Sequence, residues 1–159
     1  MKKEANRELH ASIIKDELDI RRIIDEMISQ SEEEGALVMF LGFVKGAVDG
    51  VKVMKLKFEA YEPLASNKLA EIVRQESKGC KDVRVFHRVG ELNPRDPIIY
   101  IFVSAKDRHT AFETAKRLLE RAKHEVPIFK LEVREDGEYW VVGDNRRVKR
   151  SELGSEKRM

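Results

Sequence analysis

The chain has 159 residues, enough for one domain with a core that needs no disulfides. Charged residues make up 38%, yet acids and bases nearly cancel at a net +2, which argues against a general nucleic-acid binder. A single cysteine excludes an intrachain disulfide framework, and no window approaches the roughly 20 apolar residues of a membrane span.

Met1 to Arg7 are charged and lead into no apolar run, unlike a signal peptide, so the expected location is the cytoplasm. Asp19 then precedes Ile20, Ile23, Ile24, Met27 and Ile28, the spacing of one apolar helix face, with Gly35 placed to end the helix in a left-handed conformation. Ala36 to Val44 is an apolar, β-rich run. Gly42 inside it suggests a bulge or a close approach by a ligand or another backbone. Gly46 to Gly50 reads as a loop. Met54, Leu56, Phe58 and Ala60 alternate with Lys55, Lys57 and Glu59, the pattern of a half-buried strand.

Pro63 opens a helix with the apolar stripe Leu64, Leu69, Ile72 and Val73, closed by Gly79. Val83 to Val89 reads as a strand, and a loop through Pro94 and Pro97 follows. Ile98 to Ala105 is a continuous apolar strand, central in its sheet. Asp107 to Glu125 is a helix with Ala111, Phe112, Ala115, Leu118, Leu119 and Ala122 inward, and Pro127 prevents its continuation. Ile128 to Arg134 and Glu138 to Val142 flank Asp136-Gly137, a strong hairpin signal. The three helices and about six strands come in mixed order, so the class is α+β with a largely antiparallel sheet. The organisation expected is an N-terminal segment over 1–34 with its amphipathic helix, a core domain over 35–143, and a charged, flexible tail over 144–159.

The candidate chemistry is sparse. Cys80 follows a helix-ending glycine and has no histidine nearby in sequence. His10, His87, His109 and His124 form no metal-ligand pattern, and there is no phosphate-binding glycine loop. On a strand, one of His87 and Arg88 faces inward, and Arg88 is a candidate partner for Glu59 or Glu91. Lys123 near a helix end and Lys130 on the strand beyond Pro127 are of more interest. A helix-turn-strand return brings such residues close, and neighbouring ammonium groups lower each other's pKa and attract anions. Each also has an ordinary reading. A C-terminal lysine complements the helix dipole, and a strand lysine commonly faces solvent.

These residues belong to an ordered set of motifs. Gly35-Ala36 comes with Phe40, Gly42 and Val44, then Phe58-Glu59-Ala60-Tyr61 and Leu69-Ala70-Glu71-Ile72. His87-Arg88-Val89-Gly90-Glu91-Leu92 follows with Pro94 and Asp96, then Arg108 with Ala111-Phe112. Lys123, Pro127, Phe129-Lys130, Glu132, Gly137 and Trp140-Val141 complete it. In order and spacing the chain resembles the large, catalytic subunit of molybdopterin synthase, the MoaE family, from roughly Gly35 to Val142.

The resemblance implies an α/β hammerhead fold and a homodimer. It implies a small ubiquitin-like partner on each protomer, giving a heterotetramer. The partner's C-terminal Gly-Gly thiocarboxylate would donate sulfur to a cyclic pyranopterin monophosphate in two transfers, making the dithiolene of molybdopterin. No metal or cofactor is required of this chain at that step. Lys123 and Lys130 match the family's essential lysines. Lys123 is implied in the covalent or acid–base role beside the thiocarboxylate, and Lys130 in substrate binding and proton transfer. Phe43, Val44, Lys45, Asp107, Arg108, Leu131 and Glu132 are implied as substrate-binding positions. The alternative is a homologue that binds the ubiquitin-like partner without turnover. Departures from the family motivate that alternative. Lys45 stands where the family usually has arginine, and lysine lacks the bidentate fork. Asp107 stands where it usually has histidine, although aspartate there also suits a helix cap. A family arginine contributed across the dimer aligns with Asp144, with Arg146 and Arg147 close by.

Overall fold

The computed structural model describes residues 10–143 and 146–151. In chain order it has β1 (Ala11–Ile14), α1 (Ile20–Ser29), β2 (Ala36–Phe43), β3 (Ala47–Val48), β4 (Val51–Ala60) and α2 (Leu64–Glu76). Then come β5 (Asp82–Arg88), β6 (Gly90–Leu92), β7 (Pro97–Ala105), α3 (Arg108–Glu125), β8 (Ile128–Arg134), β9 (Gly137–Val142) and β10 (Arg146–Lys149). One sheet has the order β1-β5-β7-β2, and the other runs β10-β9-β8-β4-β3 with β6 also on β4. Every pairing is antiparallel except that of β1 with β5. The α+β class therefore holds, with three helices and ten strands among the described residues rather than about six.

The apolar run of β7 is explained by its position. It is central in the first sheet and buried on both faces. Ile99, Ile101 and Val103 pack into the cluster with Leu69 and Ile72 of α2 and Leu118 of α3. Tyr100 and Phe102, pointing the other way, join Met27, Ile23 and Ile24 of α1. Both helix stripes were placed with one error each. Ile28 and Leu64 are exposed, and Ala65 takes the buried place on α2. Gly35 does not close α1, which stops at Ser29 because Ser31 returns both its N–H and its hydroxyl to the last turn. Phe112, expected inward on α3, is 62% exposed, and Thr114 is buried instead.

The hairpin forms where Asp136-Gly137 predicts one, but its loop is Glu135-Asp136: Gly137, at φ 141°, already pairs with Arg134 as the first residue of β9. The loop expected over Gly46 to Gly50 contains the short β3, which turns into β4 through Asp49 and Gly50, both at positive φ. The alternation assigned to β4 breaks at its start. The register shifts between Val53 and Lys55, so Val53 is buried and Met54 is exposed. Part of the tail expected to be flexible is ordered as well. Arg146 to Lys149 add β10 to the edge of β9, and Arg150 pairs with Glu138 at 2.6 Å. No described helix is long and apolar enough to cross a membrane.

Candidate active site

Strand alternation and one helix terminus converge on a cavity of about 400 Å³. α3 ends at Glu125 and Pro127 redirects the chain, with its carbonyl accepting from Tyr61 N–H at 3.0 Å. Lys123, in the last turn of α3, and Lys130, two residues into β8, both line the cavity. Lys45, on the loop after β2, closes one side, and Arg147 of β10 reaches in from the other. The remaining wall is mostly apolar, from Phe40, Phe43, Phe58, Ile99 and Val126, with Gly42 among them. A Cβ on Gly42 would stand 2.9 Å from the Ile99 side chain, so the wall there is already at contact.

Lys130 is the most perturbed amine of the site. Burial pushes its pKa below the ordinary lysine value, Glu132 opposes that shift, and Arg147, Lys123 and Lys45 reinforce it. Its ammonium lies 5.8 Å from the centre of the Phe58 ring, in reach of a cation–π contact. Phe58 in turn meets the His87 ring edge-on, with centroids 5.4 Å apart. His87 Nδ1 is 2.7 Å from the Arg88 carbonyl, which requires the proton on that nitrogen and leaves the lone pair on Nε2. Burial lowers the His87 pKa to about 4, with Lys130 contributing in the same direction, so the ring is neutral near pH 7. Glu132 is only 2% exposed and takes a two-pronged contact from Arg147, Nε at 2.9 Å and the terminal nitrogen at 3.3 Å. The result is a concave site with several cations, one internally neutralised carboxylate and an apolar lining, suited to an anion that carries a flat uncharged body.

The positions implied by the resemblance divide into three groups. Phe43, Lys45, Lys123, Lys130 and Glu132 line this cavity. Val44 and Leu131 do not. Val44 is fully buried among Val48, Val53 and Leu56, and Leu131 lies on the strand face opposite Lys130 and Glu132. Asp107 and Arg108 lie apart from it within the chain, in a separate open hollow with His109 and Phe112. Asp107 instead caps α3, its Oδ1 accepting from Thr110 N–H at 2.9 Å and its Oδ2 from the Thr110 hydroxyl.

Arg88 pairs with neither Glu59 nor Glu91. Its guanidinium donates to the carbonyls of Lys15 and Pro97, and Glu91 sits between Lys55 and Lys57. Asp144, aligned with the cross-dimer arginine, lies outside the described residues. Cys80 packs near the helices, its sulfur 3.4 Å from the Thr114 hydroxyl and away from the cavity. No cluster of three metal-ligating side chains occurs among the described residues. Sequence reasoning did not place Phe58, His87 and Arg147 in the site. Alternation along β5 already required one of His87 and Arg88 to face inward, whereas Arg147 was noted only as lying near the position aligned with the family's cross-dimer arginine.

Comparison with known proteins agrees with the motif order. The MoaE protein family model matches residues 13–125. The molybdopterin synthase catalytic subunit of Pyrococcus abyssi is 38% identical over 126 residues, covering 76% of this chain and 84% of that protein. That of Bacillus subtilis is 34% identical over 132 residues, covering 81% and 82%. The crystal structure of molybdopterin synthase from Staphylococcus aureus superposes with a TM-score of 0.75 at 32% identity, covering 84% of this chain and 97% of that one. By the extent of the family match and by these identities, the chain belongs to the MoaE family, that of the molybdopterin synthase catalytic subunits.

Proposed function

We propose that this chain, by its family an enzyme subunit of molybdopterin biosynthesis, moves sulfur from a thiocarboxylated protein tail onto a cyclic pyranopterin monophosphate. The observation that carries the reading is the convergence of Lys123, Lys130, Lys45 and Arg147 on one cavity with apolar walls. Two anions must meet there, the substrate phosphate and the thiocarboxylate of a small ubiquitin-like partner, and the three lysines offset their charge, Arg147 being paired with Glu132. The sulfur arrives on the partner, so the site of transfer needs no cysteine of its own, in keeping with Cys80 lying elsewhere. In each transfer a carbon–sulfur bond forms on the substrate with loss of an oxygen substituent, and water cleaves the partner's acyl–sulfur bond, leaving an ordinary carboxylate.

The lowered pKa of Lys130 suits an amine that exchanges protons near neutral pH while holding the substrate. Lys123, at the cavity's helix-end side, takes the acid–base or covalent role beside the thiocarboxylate. A homodimer with one partner per protomer, a heterotetramer, fits the exposure of Phe43, Tyr61, Phe112 and Phe129, large apolar side chains that such interfaces cover.

Lys123→Ala, given thiocarboxylated partner and substrate, is expected to lose product formation by at least about 100-fold while keeping its thermal transition. Full activity in that variant would remove the proposed role. Wild-type protein that binds the partner yet transfers no sulfur would instead identify a non-catalytic homologue.

A further inference from the structure

Glu132 is the one carboxylate among the described residues lining the cavity, and it sits on the same strand face as Lys130, two residues along β8. A carboxylate so placed is the natural partner of that lysine. It is engaged elsewhere. Both of its oxygens accept from the Arg147 fork, at 2.9 and 3.3 Å, and its more distant contact to Arg134 is 3.7 Å. Arg147 belongs to β10, which is held in register by pairing of Arg147 with Val141. Val141 in turn is paired with Lys130 on its other side. The three side chains are thus fixed on β8 and β10, the two strands that flank β9.

We propose that Arg147 is a positioning residue: by occupying the Glu132 carboxylate it keeps Lys130 from being drawn into an internal ion pair, so that its amine stays available to the ligand of the cavity. The inference rests on Lys130 being a working group of the proposed reaction. The charged and titratable groups that line the cavity with Lys130 are Lys45 from the β2–β3 loop, His87 from β5, Lys123 from α3, Glu132 from β8 and Arg147 from β10. Lys45, Lys123 and Arg147 disfavour the ammonium form and Glu132 favours it. His87 is neutral above about pH 4 and adds no charge in the working range. Removing Arg147 subtracts one repulsion and frees one attraction, so both changes act in the same direction.

The test is an NMR titration of the Lys130 side chain in the full chain, its signal assigned by its loss in Lys130→Ala. In Arg147→Gln the Lys130 pKa is expected to rise by about one unit. In Glu132→Gln/Arg147→Gln it is expected to return close to the wild-type value. Arg147→Lys keeps the charge but grips one oxygen at a time, so a smaller rise of about 0.3 unit is expected there. That conservative variant carries the test if the glutamine variant does not fold. An unmoved or lowered Lys130 pKa in the folded variants would reduce Arg147 to a strut for β10 and overturn the proposal. So would an equal rise in the double variant. The titration needs no turnover, so its outcome is separate from that of the Lys123→Ala assay, which tests the reaction itself.

Discussion

His87 shows how the surroundings decide what a residue can do. The strand pattern left open which of His87 and Arg88 points inward. The structure uses both, with Arg88 tying loop carbonyls together and His87 offering a neutral imidazole to a cationic hollow. That arrangement has a consequence for stability. The folded pKa is about 4 against an ordinary 6.5. Between those values the unfolded chain binds the proton and the folded one does not, so stability present above about pH 6.5 is lost as the pH falls toward 4. The full effect of a shift of that size is roughly 3 kcal/mol. Urea unfolding of wild type and His87→Gln from pH 4.5 to 7 is expected to give a shallower decline in the variant; parallel curves would mean that His87 is not held neutral by the fold. The lysines were legible for a different reason. The helix-turn-strand return around Pro127 made Lys123 and Lys130 candidates beside their ordinary readings, and their place in an ordered run of motifs singled them out. The resemblance also implied Leu131, whose side chain alternation along β8 turns away from the cavity that Lys130 and Glu132 face.

At the scale of elements, the parts that could be read were those with an unambiguous period or a strong turn. β7 is an unbroken apolar run because helices cover both its faces, and the β8–β9 hairpin follows from Asp136-Gly137. The parts that escaped were four short strands of two to four residues, β1, β3, β6 and β10. β1 and β10 are too short to show alternation, and β10 has the composition Arg-Arg-Val-Lys, which read alone suggests a solvated tail. It is ordered by pairing with β9, the strand just before it, and by the ion pairs of Arg147 and Arg150, whose partners lie 15 and 12 residues earlier. Asp107 is an element-scale residue too. Its carboxylate closes the first turn of α3 through Thr110, and this bonding, more than any other influence, lowers its pKa. Asp107→Ala is therefore expected to lower the stability of the fold, with Asp107→Asn much closer to wild type. Equal stability of Asp107→Ala and wild type in chemical denaturation would contradict the capping role. The cap matters beyond α3 itself, because the opposite end of the same helix carries Lys123.

For the molecule as a whole, two sheets and the end of α3 leave a hollow that no single element defines. β2, β5 and β7 supply walls from the first sheet, β4, β8, β9 and β10 from the second, and α3 closes one side. The class of the fold was legible in the mixed order of elements, whereas this meeting of two sheets was not, since it depends on pairings as far apart as that of Val53 with Arg134, about half the chain length. Arg108 was expected with the lysines, and in the single chain it lies in another hollow beside the exposed Phe112. Whichever surface meets a second subunit, the account turns on one place where negative charge is received. A crystal structure of the protein with bound cyclic pyranopterin monophosphate tests this most directly. The account predicts the phosphate within hydrogen-bonding distance of Lys130 and at least one of Lys45, Lys123 and Arg147; a phosphate seated elsewhere, with the Lys123–Lys130 cavity unfilled, would contradict it.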